Sequence, residues 1–166
     1  KYSEEANINC IMLKSIGYKK NISIQRLIDQ SVLKRSFKEN ISLIEKPDII
    51  ICSLPIIELA EVCLDYGEKN KIPVIIDIRD LWPDVFYKFL PKIFQNFAKY
   101  VLLYFEYKTN KVLRRASALS AVSKNYLDWG LKRAGREKST LDSIIPIGYE
   151  KRITKSHINY LPVDLQ

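Results

Sequence analysis

The sequence predicts an α/β fold, a Rossmann-like open parallel sheet flanked by helices. Two observations carry that prediction. Short apolar runs at 49–54, 74–78 and 116–122 alternate with longer stretches in which apolar residues recur every three or four positions, the pattern of strands and helices in turn. The run Val74, Ile75, Ile76 and Ile78 is apolar on both faces of its pleat, as expected of a parallel strand covered by helices on both sides.

Taken in order, residues 8–13 read as a short strand, followed by a loop over 14–21 that contains Gly17. Ile24, Leu27, Ile28, Val32, Leu33, Phe37, Ile41 and Ile44 then mark a long amphipathic helix capped by Ser23. Lys46-Pro47-Asp48 ends it, and 49–54 form a strand. A helix over 56–66 follows, with Gly67 as its C-terminal stop, before the strand at 74–78. Strand, helix and strand joined this closely form a right-handed βαβ unit. Residues 85–115 are dense in aromatic side chains, and Pro91 suits the first turn of a helix beginning near Lys92. Lys92, Lys99 and Glu106, seven residues apart, predict a narrow polar stripe on an otherwise apolar helix. Residues 116–122 give another strand. Ser123 caps a helix over 124–134 that ends near Gly135, and 144–148 give a last strand and turn. The domain thus covers 1–150, with 151–166 a polar tail or interdomain linker.

At 166 residues the chain has the length of one domain with a core of its own. Its three cysteines, Cys10, Cys52 and Cys63, are odd in number and lack metal-ligand spacing. They read as free thiols of a reducing cytoplasm. His157 is the only histidine, which disfavours a histidine-ligated metal or a Ser-His-Asp triad, and no metal site is expected. A net charge of +8 points to an anionic partner. Nucleic acid is disfavoured, because the basic residues are interleaved with a dense apolar helix instead of forming a solvated face. No stretch is long and apolar enough to span a bilayer, and the first residues are too polar for a signal peptide.

Charge enters the central strand at Asp77, Arg79 and Asp80. In open α/β sheets ligands bind beyond the carboxyl ends of the strands, so Asp80, just past the strand, is the leading candidate for chemistry. Asp77 and Arg79 have two open readings, a structural pair or a phosphate clamp. Three loops converge on the same edge: Ser53-Leu54-Pro55, Arg79-Asp80-Leu81-Trp82 and Ser123-Lys124-Asn125. Ser123 is either a plain cap or an anion donor, and Trp82 either fills core or faces a sugar. Between Phe86 and Arg115, Lys88, Lys92, Lys99, Lys108, Lys111, Arg114 and Arg115 face only Glu106. With Phe86, Tyr87 and Phe89 ahead of the helix, that segment is expected to dock on an anionic membrane surface, with core packing as the alternative.

Several strings together resemble the N-terminal domain of a family 4 retaining glycosyltransferase of the GT-B fold. They are Gly17-Tyr18-Lys19-Lys20-Asn21-Ile22-Ser23 with Arg26, Lys46-Pro47-Asp48-Ile49-Ile50-Ile51, and Ile76-Asp77-Ile78-Arg79-Asp80-Leu81-Trp82-Pro83-Asp84. Ala116-Ser117-Ala118-Leu119-Ser120-Ala121-Val122-Ser123 and Ile145-Pro146-Ile147-Gly148-Tyr149 complete the set. The branch is that of bacterial surface polysaccharides, which includes fucosamine-transferase-like enzymes.

The resemblance implies transfer of a sugar from a nucleotide donor to a lipid-linked saccharide with retention of configuration, at the inner face of the cytoplasmic membrane. This domain would be the acceptor-side half of a GT-B fold. Asp80 would be its catalytic residue, and Arg79, Trp82, Lys19, Lys20, Arg26, Ser53 and Ser123 its acceptor-binding set. Many relatives carry His-Asp where this chain has Arg79-Asp80, so the histidine's role has no counterpart. The first strand and its glycine-rich loop are absent, and the chain reads as truncated at both ends. Donor contacts would come from a C-terminal domain or a separate subunit, and no cofactor is expected in this chain. The alternative is a non-catalytic binding module that docks on a donor-binding subunit or on membrane.

Overall fold

The computed structural model describes residues 11–19, 23–41, 44–84 and 95–148. The elements are α1 (Ile24–Ile41), β1 (Ile50–Ser53), α2 (Ile57–Asn70), β2 (Val74–Ile78), α3 (Gln95–Arg115), β3 (Ala118–Ala121), α4 (Lys124–Ala134) and β4 (Ser143–Ile144). The strands form one sheet in the order β1-β2-β3-β4, each pair parallel. This is the Rossmann-like open sheet that the alternation of periods predicts.

Register sorts the side chains between two faces, since successive residues of a strand point to opposite sides. Cys52, Ile76 and Leu119 are aligned across three strands. All are buried, in one core with Ile57 and Leu64 of α2, Phe105, Val112 and Leu113 of α3, and Leu127 and Leu131 of α4. The next row up, Ser53, Asp77 and Ser120, therefore lies on the opposite face, at the carboxyl ends of the strands. Ion pairs bind the helices to one another. Lys108 lies 3.3 Å from Glu58 and 2.9 Å from Glu61, while Lys34 lies 3.6 Å from Glu61, joining α1, α2 and α3. Burial alone would lower the Lys108 pKa, but Glu61 and Glu58 outweigh it and hold the ammonium above its ordinary value.

Several expectations need correction. Residues 11–13 are not a strand, and 8–10 lie outside the described residues. The segment is bonded to α1 side chains instead of to a sheet. Lys14 N donates to Ser36 Oγ at 2.9 Å, and Ile16 N and Gly17 N donate to Asp29 Oδ1 at 2.7 and 2.9 Å. The Ser23 cap is present, with its hydroxyl accepting from Arg26 N at 3.2 Å, but α1 ends at Ile41 and Ile44 lies beyond it.

Gly67 does not stop α2. The helix runs on to Asn70 and ends where Lys71 takes the left-handed conformation at φ 58°. A Cβ on Gly67 would meet Val74 Cγ2 at 2.3 Å and the Ile72 carbonyl oxygen at 2.8 Å, so this glycine is required by close approach of helix to strand. Gly135 does close α4, at φ 67° with its N–H donating to Lys132 O at 3.3 Å.

Of the stripe predicted on α3 only Glu106 can be placed. Glu106 is half-buried with Arg133 at 4.0 Å, while Lys92 and the Lys99 side chain lie outside the described residues. Finally, β3 is confined to Ala118–Ala121 and the last strand to Ser143–Ile144. The latter is set by Asp142, which accepts from Leu119 N at 2.7 Å and from Arg136 Nη1 and Nη2 at 2.6 and 2.8 Å.

Candidate functional site

The carboxyl ends of β1, β2 and β3 hold a connected polar row. Asp77 is its centre. Its Oδ2 accepts from Ser53 Oγ at 3.1 Å and from Arg79 Nε, and its Oδ1 accepts from Ser120 Oγ at 2.8 Å. The carboxyl is buried. Burial by itself would raise its pKa, but hydrogen bonds from Arg79, Ser120 and Ser53 prevail and hold it below the ordinary carboxylate value. An anion engaged by three donors is poorly placed to take up a proton, so Asp77 orients the site instead of reacting in it. What it orients is Arg79, whose side chain is 51% exposed. Nε is committed to Asp77, and among the described residues the two terminal nitrogens make no hydrogen bond. A guanidinium fixed by one nitrogen with two donors left over is a fork for an anionic oxygen pair.

Asp80 stands one residue beyond. It is half-buried and makes no hydrogen bond or ion pair among the described residues. The two carboxylates, three positions apart in sequence, thus occupy opposite situations.

Trp82 and Arg26 meet beside them. The Arg26 guanidinium carbon lies 5.5 Å from the Trp82 ring centroid and 5.7 Å from that of Tyr18, which places a cation between two aromatic faces. The other side of Trp82 is structural, an edge contact with Phe105 at 5.5 Å and 71°. Tyr18 is in reach because Asp29, buried in α1, gathers Ser15 Oγ and the amides of Ile16 and Gly17. The Ser15 hydroxyl contributes most to holding its pKa below the usual range. Asp84, at the end of the same loop, is bound to α4, accepting from Trp129 Nε1 at 2.7 Å and from Arg133 Nη2. Arg133 in turn stacks over Trp129 at 4.8 Å and donates to Asn110 Oδ1 at 3.0 Å. The loop from Arg79 to Asp84 is therefore anchored at both ends.

The remaining predicted residues divide. Ser53 is in the site but its hydroxyl is taken by Asp77. Ser123 occupies the N-cap of α4 in extended backbone, and its hydroxyl makes no capping bond. Lys19 is exposed. Lys20, Phe86, Tyr87, Lys88, Phe89 and Lys92 lie outside the described residues. Sequence reasoning missed Ser120 and Tyr18. Ser120 was legible as a polar residue inside an apolar strand, whereas Tyr18 needed the Asp29 turn, which has no sequence signature.

A depression of about 380 Å³ lies at the opposite, amino-terminal end of the strands, lined by Gly67, Lys71, Pro73, Arg115 and Ser117 among others. Its guanidinium is already bound to Asp65 at 2.7 Å and Glu68 at 2.8 Å, so its charge is answered from within. Among the described residues no helix is long and apolar enough to cross a membrane. Comparison of the sequence with protein-family models and curated proteins, and of the fold with solved structures, finds no match.

Proposed function

We propose that the chain is the acceptor-binding half of a glycosyltransferase. It takes a lipid-linked saccharide at the inner face of the cytoplasmic membrane and presents it to a nucleotide-sugar donor in bacterial surface polysaccharide synthesis. The observation that carries this reading is the contrast at the strand ends, a buried Asp77 that fixes Arg79 beside an Asp80 that makes no hydrogen bond or ion pair among the described residues. Asp80 orients or deprotonates the acceptor hydroxyl, a role that suits a carboxylate just past a strand end. Arg79 takes pyrophosphate oxygens, with Arg26, Lys19 and Lys20 adding positive charge. The donor is bound by a separate domain or subunit, and catalysis needs both halves together.

The test is titration of a short-chain prenyl-pyrophosphate saccharide into the chain. Arg79→Ala should weaken binding by about tenfold or more, the scale of hydrogen bonds to charged groups. Asp80→Asn should leave binding within about twofold, yet lower turnover roughly a hundredfold once a donor-binding half is supplied. No binding, or binding indifferent to Arg79→Ala, overturns the reading.

A further inference from the structure

The rings and the cation beside Asp80 are stacked in a tier with one ring left open. At its base is Phe105, buried in the core, with Trp82 against it at 5.5 Å. Arg26 lies over Trp82 at 5.5 Å and over Tyr18 at 5.7 Å. Trp82, two residues past Asp80, is half-buried and engaged by core and cation alike, so the sugar-facing role does not fall to it. Tyr18 differs. Arg26 covers one face of its ring, yet the residue is 42% exposed, and its hydroxyl makes no hydrogen bond among the described residues. The ring is nonetheless held in place. Asp29 accepts from the amides of Ile16 and Gly17 at 2.7 and 2.9 Å, and Gly17 turns the chain at φ 77°, where any other residue would be strained. A Cβ on Gly17 would meet nothing within 4 Å, so the glycine serves the turn that delivers Tyr18 and not a close approach.

We infer that the open face of Tyr18 stacks on a sugar ring of the acceptor, so that Tyr18 selects for the saccharide while Arg79 holds the pyrophosphate. The inference rests on the acceptor-binding reading above. A pyranose ring carries a patch of C–H groups edged by hydroxyls. A phenol ring matches both parts, with an apolar face for the patch and a polar tip for a hydroxyl. A prenyl chain would instead need an enclosing apolar pocket, and a ring flanked by the exposed Gly17 and Lys19 does not supply one. Because Arg26 and the Asp29 turn already fix the ring, little side-chain freedom is lost when a sugar covers it.

The test is calorimetric titration of the full chain with two probes, a short-chain prenyl pyrophosphate bearing a disaccharide and the same prenyl pyrophosphate without sugar. The parent should bind the first more tightly. Tyr18→Ala should weaken binding of the saccharide-bearing probe about tenfold, the scale of covering roughly 60 Å² of apolar ring face, and leave the bare probe within about twofold. Tyr18→Phe keeps the ring and should lose no more than about threefold on either probe, the lower end of one neutral hydrogen bond. Tyr18 is exposed, so loss of its contact with Arg26 should lower the melting temperature by no more than about 4 °C. Equal losses on both probes would mean that Tyr18 acts only by holding Arg26, and no loss on either would mean that the ligand does not touch it. Each result overturns the inference and leaves the acceptor reading standing. So does a parent that binds both probes equally, or a Tyr18→Phe variant as weak as Tyr18→Ala. Failure of the parent to bind either probe overturns both.

Discussion

Replacing Asp77 by alanine separates the orienting carboxylate from the reacting one, and its cost can be worked from the bonds it breaks. Ser120 Oγ is buried and loses its acceptor at 2.8 Å, a loss of about 1–3 kcal/mol. Ser53 is exposed and regains water, so it adds little. Arg79 is half exposed, which discounts its pairing to about 1 kcal/mol or less. The sum is about 1–4 kcal/mol, or roughly 2–16 °C in melting temperature for a chain of this size. Asp80→Ala, by contrast, should stay within about 0.5 kcal/mol.

The pH dependence has a definite sign. The folded pKa of Asp77 lies below its ordinary value, so its stabilisation is fully present above the unfolded pKa of about 3.9 and is lost as pH falls through the folded value. The gap between parent and Asp77→Ala should be flat from about pH 5 to 8 and close in stronger acid. Thermal unfolding followed by circular dichroism across that range measures both. A shift below about 1 °C at neutral pH, or a gap that widens toward acid, would refute the assignment of Asp77 as the organiser of the site.

Gly67→Ala should destabilise by about 1 kcal/mol or more despite a gain of about 1 kcal/mol in helix propensity, because the new methyl group meets the Ile72 carbonyl at 2.8 Å. A urea midpoint equal to or above the parent's would contradict this. Asp142→Ala should cost about 3–5 kcal/mol, since it strands Arg136 and the Leu119 amide. Its first readout is faster hydrogen exchange at Leu119. In a Cys10→Ser background no thiol should react with Ellman's reagent before unfolding. Cys52 and Cys63 are both buried, and the contact with Cys52 together with burial pushes the Cys63 thiol far above its ordinary pKa. Prompt release of the coloured thiolate from native protein would count against that packing.

The architecture was legible wherever a period was long or a run wholly apolar. Residues 74–78 announced a buried strand, and Gly135 a helix end. Gly67 shows where that reasoning fails. A glycine after a run of apolar helix spacing reads as a stop, yet whether a backbone comes close enough to exclude a Cβ is settled only by the packing of α2 on β2. The site was half legible for a similar reason. Asp77 and Arg79 meet because they are two apart at the end of β2, but Ser120 joins them only through the register between β2 and β3. Asp84, part of the most distinctive string in the chain, proves to be bound to Trp129 and Arg133, a use of a carboxylate that sequence cannot distinguish from catalysis.

The strictly sequential strand order also bears on how the sheet is assembled. Among the described residues each strand after β1 pairs with the one laid down before it, so none of the four must wait for a later one to be inserted between neighbours. The contacts that close the three crossovers span unequal lengths of chain: 24 residues from Ser53 to Asp77, 43 from Asp77 to Ser120, and 23 from Leu119 to Asp142. The entropy of closure grows only with the logarithm of length, so the middle crossover costs about 0.5 kcal/mol more than the others. Its delay in a chain emerging from the ribosome is set instead by translation. At about 5–20 residues per second, β1 and β2 can already be paired for several seconds before β3 is available. During that interval Asp77 lacks Ser120, and the edge of β2 that will receive β3 is open to any competing strand.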